Sequence, residues 1–115
     1  MSEQTKTIDK EILNKIKQII LDTANTYNIK IHKIILFGSR ARGDYREYSD
    51  WDILIVTEDK LDKELEDNFY LEVGRKLVKL NIIPEIIISA KEEFEKYKYL
   101  KGFIYYWADK EGIIL

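Results

Sequence analysis

A chain of 115 residues, 45% hydrophobic and 35% charged, has enough apolar material to bury a core and reads as a single globular domain over residues 1–115. A formal net charge of −2 argues against direct nucleic-acid binding over a broad surface, which carries a basic surplus. Cysteine is absent, which excludes disulfides and thiolate metal sites, and the polar amino terminus and lack of a run of roughly 18 apolar residues point to a cytoplasmic protein with no membrane association.

Residues 1–6 are polar. Over residues 7–27, Ile8, Ile12, Ile16, Ile19 and Ile20 recur at three- and four-residue steps and predict an amphipathic helix. Thr7 is placed to cap it, Asp9 and Glu11 fall in its first turn where the helix dipole favours acids, and Asn28 is a stop. Residues 31–37 are an apolar core strand. His32, the sole histidine, reads as a strand-end surface residue rather than a general base, because a lone titratable group names no partner.

The chemistry concentrates in the next stretch, Phe37-Gly-Ser-Arg-Ala-Arg-Gly-Asp-Tyr-Arg-Glu-Tyr-Ser-Asp-Trp-Asp52. Gly38 lets backbone approach a ligand closely, and Ser39 is suited to cap a short helix whose free amides would seat a phosphate. Arg40 and Arg42 add fixed positive charge matched to phosphate oxygens. Ten residues separate Ser39 from Asp50, and Asp52 follows two positions later, on the same side of a strand. Two such carboxylates repel and raise each other's pKa, a cost that a hard cation such as Mg²⁺ removes through oxygen ligands. Trp51 points to the opposite face and joins the core, while Asp44, Arg46 and Glu47 read as solvated loop charges. A phosphate cradle beside metal-binding carboxylates describes a seat for a nucleoside triphosphate with Mg²⁺.

Residues 51–57 form a second apolar strand. Leu61, Leu65, Phe69, Val73 and Leu77 then recur every four residues and predict a helix over 61–80, ended by Asn81. Gly74 weakens that helix by roughly 1 kcal/mol relative to Ala and suggests close packing on the sheet. Residues 82–89 are a third strand, with Pro84 at its start or on an edge. Glu85 is the only charge in that run, expensive there unless paired or metal-bound. Strand, helix, strand implies a right-handed parallel pair, with the starts of strands two and three side by side. If strands one and two are antiparallel, Asp50, Asp52 and Glu85 converge beside Gly38 and Ser39. Residues 90–111 predict a C-terminal helix starting at Lys91. Its rings, Phe94, Tyr97, Tyr99, Phe103, Tyr105, Tyr106 and Trp107, serve as core on one side and as a partner surface on the other. Glu111 and Gly112 turn the chain into a short closing strand over 113–115. The fold class is α+β, a small mixed sheet flanked by helices.

Gly38-Ser39, ten residues, then Asp50-Trp51-Asp52 resembles the signature of the DNA polymerase β-like nucleotidyltransferase superfamily, and the short chain resembles its minimal nucleotidyltransferases over about residues 31–89. The resemblance implies the polymerase β-like fold and Mg²⁺-dependent transfer with ATP as nucleotide donor. It implies two Mg²⁺ ions on Asp50 and Asp52, the β and γ phosphates on Gly38, Ser39 and Arg40 or Arg42, and Ser49 capping or orienting the aspartates. Glu85 stands where the family's third acid falls, although Asp is more usual there. The resemblance further implies an antitoxin that places AMP on a tyrosine of a HEPN-domain ribonuclease toxin. The rival reading is a catalytically silent antitoxin that occludes its partner. A small-molecule transferase of the antibiotic-modifying kind ranks third, for want of a substrate domain. Nucleobase, acceptor and oligomeric state, a homo-oligomer included, stay open.

Overall fold

Residues 9–115 are described by the computed structural model. Their elements, in chain order, are α1 (Lys10–Thr26), β1 (Ile31–Phe37), α2 (Ser39–Arg42), β2 (Trp51–Thr57), α3 (Lys63–Val78), β3 (Pro84–Ala90), α4 (Lys91–Tyr97), α5 (Ile104–Glu111) and β4 (Ile113–Ile114). The expected cap Thr7 and the stripe residue Ile8 lie outside the described residues. Asp9 takes the cap position of α1, its Oδ1 accepting from the Glu11 amide at 2.9 Å. Asn28 and Asn81 both adopt left-handed backbone, φ 57° and 62°, where α1 and α3 give way to strands. No described helix is long and apolar enough to cross a membrane.

The strands form one mixed sheet in the order β3-β2-β1-β4. β1 runs antiparallel to β2, β2 parallel to β3, and β4 antiparallel to β1. Pro84 opens the edge strand β3, where its missing N–H costs no ladder bond. The sheet is apolar on both faces, because alternate residues of each strand serve different layers. One layer packs Ile34, Leu36, Ile53 and Ile55 against Ile16 and Ile20 of α1 and Phe69, Val73 and Leu77 of α3. The other packs Ile35, Phe37, Leu54 and Val56 against Phe94 of α4 and Ala108 of α5. Phe69 is fully buried in the first layer. Phe69→Ala is expected to cost about 3–5 kcal/mol, read as a lower denaturant midpoint with an unchanged slope.

The C-terminal region differs from the single helix expected. It is two short helices joined by tight turns, with the Leu100 amide donating to the Tyr97 carbonyl and the Phe103 amide to the Leu100 carbonyl, both within 3.0 Å. Gly102 disfavours helix there, and the break lets Phe94 and Ala108 reach the same sheet face. Tyr97 and Phe103 stack across the break, centroids 4.7 Å apart. The rings divide as the sequence suggests. Phe94 is buried and meets Tyr105 edge-on, while Tyr99, Phe103 and Trp107 remain exposed.

Candidate active site

The register sets the site. Phe37, the last residue of β1, lies opposite Asp52, and Asp52 lies opposite Glu85 in the parallel pair. Adjacent strands are about 4.8 Å apart, so one row across the sheet brings the start of α2, Asp52 and Glu85 together. Asp52 lies on the Leu54–Val56 side of β2, the side covered by α4 and α5, and Trp51 packs against the other layer. The Trp51 amide donates to the Ile83 carbonyl at 2.8 Å, which ties the start of β2 to the chain entering β3.

Gly38 is the hinge between β1 and α2. Its backbone, φ 75° and ψ −159°, lies in a region populated almost only by glycine. A Cβ at this position would run into the Asp52 carboxylate. The carboxylate therefore occupies space that any other residue would fill. Ser39, expected to cap α2, does not. In the structure Gly38 is the cap residue of α2 and Ser39 is its first residue, with no side-chain cap bond. The Ala41 and Arg42 amides turn back to the Gly38 carbonyl at 3.1 and 3.0 Å. The Ser39 and Arg40 amides belong to the first turn, which has no preceding turn to receive them.

Asp52 feels the charges of the other two acids. Asp52 is half-buried, and its carboxyl is raised above the ordinary value, first by partial burial, then by the charges of Glu85 and Asp50, with Arg42 opposing. Asp50 sits just before β2 and is exposed. Glu85 is exposed too, so the burial cost expected for it in an apolar run is not incurred at this edge position. The carboxylates supply oxygen ligands alone, and their mutual repulsion is the cost a divalent cation relieves, so the donor set fits Mg²⁺. Among the described residues no three acidic or histidine side chains already enclose a cation position.

The two arginines part company. Arg40 donates to the Ser49 carbonyl from Nε (3.3 Å) and Nη2 (3.0 Å) and from Nη2 to the Glu47 carbonyl (3.3 Å). Its guanidinium also lies over the Tyr45 ring at 4.2 Å and the Trp51 ring at 4.6 Å. It clamps the 44–50 loop on the Trp51 side and is not brought to the acids. Ser49 also serves the loop, its Oγ accepting from the Arg46 amide at 2.8 Å. Arg42 is the arginine whose charge reaches Asp52. It is shared between Asp44 and Glu111, at 3.3 Å each. Glu111 had no signal in the sequence, since it lies 69 positions from Arg42 and is delivered by α5. Arg46 and Glu47 are exposed as expected, and His32 pairs with Glu58 at 3.2 Å at the far end of β1.

Comparisons with known proteins bear on the family and the fold. The sequence profile described as nucleotidyltransferase domain matches residues 10–109. A protein of Methanocaldococcus jannaschii, provisionally named a protein adenylyltransferase, is 39% identical over 82 residues, spanning 70% of this chain and 76% of its own. A solved structure provisionally described as a minimal nucleotidyltransferase superposes with a TM-score of 0.60 at 22% identity, covering 96% of this chain and 99% of that one. A chain from the complex of a tri-AMPylated Shewanella oneidensis HEPN toxin with an MNT antitoxin superposes with a TM-score of 0.50 at 18% identity, covering 88% and 66%. At those identities the two structures speak for the fold alone.

Proposed function

The chain belongs to the nucleotidyltransferase domain family, and from that membership we propose that it moves AMP from ATP onto a tyrosine hydroxyl of a HEPN-domain protein, as the antitoxin of a pair. The observation that carries this reading is the Asp52 carboxylate seated against Gly38, with Glu85 in register beside it. The kinship with a protein provisionally named a protein adenylyltransferase supports AMP transfer to a protein, and the HEPN partner is carried over from a complex in which one chain shares this fold. The exposed rings of Tyr99, Phe103 and Trp107 offer that partner a surface.

In this mechanism the first amides of α2 and the Arg42 guanidinium bind the β and γ phosphates. Arg42 leaves its solvent-exposed partners Asp44 and Glu111 at little cost, because such pairs contribute about 0–1 kcal/mol. The acceptor oxygen attacks the α-phosphorus. The new O–P bond forms as the α–β bridge breaks, pyrophosphate departs, and Glu85 at the open rim takes the hydroxyl proton. Asp50, Asp52 and Glu85 would hold Mg²⁺, which neutralises phosphate charge and makes the acceptor hydroxyl more acidic.

The test is incubation with α-labelled ATP and Mg²⁺, with and without the product of the neighbouring gene. Label is expected on that protein and is expected to vanish with Asp52→Asn. Inhibition of the partner that survives the Asp50→Asn, Asp52→Asn double variant without labelling would instead establish a silent, occluding antitoxin. The arginines give a further check. Arg42→Gln is expected to raise KM for ATP about tenfold, the size of one charge-assisted contact at an exposed site. Arg40→Gln is expected to lower thermal stability and leave that KM nearly unchanged.

A further inference from the structure

Helix α3 carries an outer face for which the fold has no use. Leu71 and Val78 are 65% and 58% exposed, and Tyr70 beside them is 45% exposed. With Tyr27, Gly74 and Arg75 they line an open groove. Leu71, Gly74 and Val78 are spaced to fall on one side of the helix. Scattered apolar residues on a surface need no account, but a contiguous stripe marks an interaction site.

Gly74 sharpens the case. A glycine inside a helix is less stable than alanine, so it is retained where something needs its bare backbone. Close packing on the sheet is not that reason. A Cβ here would meet only Ile86 Cδ1, at an ordinary 3.9 Å. Gly74 also lines the open groove between Leu71 and Val78, where a second helix could approach closely.

The charges say which helix. On this outer side the start of α3 carries Glu64 and Asp67, the latter paired with Lys63, and its end carries Arg75, paired with Glu72, and, just beyond, Lys79. A copy of α3 laid antiparallel puts acid over base at both ends, the self-match that a two-fold contact requires. We propose that α3 is a homodimer interface, an antiparallel contact with a second copy of this chain that crosses at Gly74. Leu71 of each copy then packs on Val78 of the other, and Asp67 of each faces Lys79 of the other at the rim. The pairs that α3 now makes along its own length, such as Lys63 with Asp67, are solvent-exposed and exchange readily. α3 covers the sheet face opposite the Asp52 side, so both acid sites stay open in the dimer. The proposal stands independently of the transferase reading.

Sedimentation equilibrium of the full chain tests it. The expected mass is twice the 13.7 kDa of one chain at about 50 μM. Leu71→Asp is expected to give a folded monomer. Gly74→Ala is the sharper variant, because the added methyl favours the helix and obstructs only the contact. It is expected to melt higher at dilutions where the chain is monomeric, yet to dimerise at least about tenfold more weakly. Asp67→Lys and Lys79→Glu are each expected to weaken the dimer and together to restore it. A single-chain mass at that concentration, or a dimer whose affinity is indifferent to Leu71→Asp and Gly74→Ala, overturns the proposal.

Discussion

Asp52→Asn is expected to abolish nucleotidyl transfer, by about a thousandfold or more, while making the metal-free protein more stable at neutral pH. The two effects have one cause. The Asp52 carboxylate is half-buried at the Gly38 hinge and faces the charges of Glu85 and Asp50. Folding therefore favours its protonated form. The stabilisation from holding that proton is complete below the unfolded-state value near 4 and is lost as pH rises through the raised folded-state value. At pH 7 the ionised group is a net cost, offset only in part by Arg42. Asparagine keeps the shape and drops the charge. In a chelator, the variant is expected to melt above the parent at pH 7. The gap should close as pH falls into the carboxylate range. Thermal scans across pH, paired with the labelling assay, check both halves. A variant that melts below the parent at pH 7, or that still transfers label, contradicts the placement of Asp52.

Gly38→Ala is expected to match that loss of activity by a different route, and to lose stability. The backbone at Gly38 is nearly closed to other residues, which costs about 1–3 kcal/mol for alanine. The methyl also displaces the Asp52 carboxylate it would run into. Because both substitutions act at one contact, their effects should not add. Asp52→Gly in the Gly38→Ala background removes the obstructing side chain and is expected to recover part of the lost stability, a coupling of about 1 kcal/mol or more by double-mutant cycle in denaturant. Strict additivity would mean that the Gly38–Asp52 contact is not what fixes the hinge.

These two positions show what could be read before any coordinates. Gly38-Ser39 followed by Asp50-Trp51-Asp52 is a local pattern, and its turn chemistry and strand alternation are short-range properties of the chain. Glu85 was legible for a related reason. A lone acid at the start of an apolar strand is conspicuous, and the handedness of strand-helix-strand units places it beside Asp52. The stripes of α1 and α3, the stops at Asn28 and Asn81, and Pro84 at an edge strand were likewise written in periodicity and backbone preference. Arg40 and Arg42 were not separable, because both are arginines in one short turn. Only the direction each side chain takes from α2 distinguishes them, and that direction is set by Tyr45 and Trp51 on one side and Glu111 on the other.

By itself, then, the sequence determined the elements, the mixed sheet and the acids that converge at one end of it, since helices, turns and alternation depend on neighbours in the chain. The tertiary structure alone decided which arginine's charge reaches Asp52, that the Asp52 carboxylate lies in the space a glycine leaves, that the C-terminal helix breaks in two, and that Gly74 lines an open groove and is not tightly packed on the sheet. Those outcomes depend on side chains meeting across distant segments, and periodicity carries no record of such meetings.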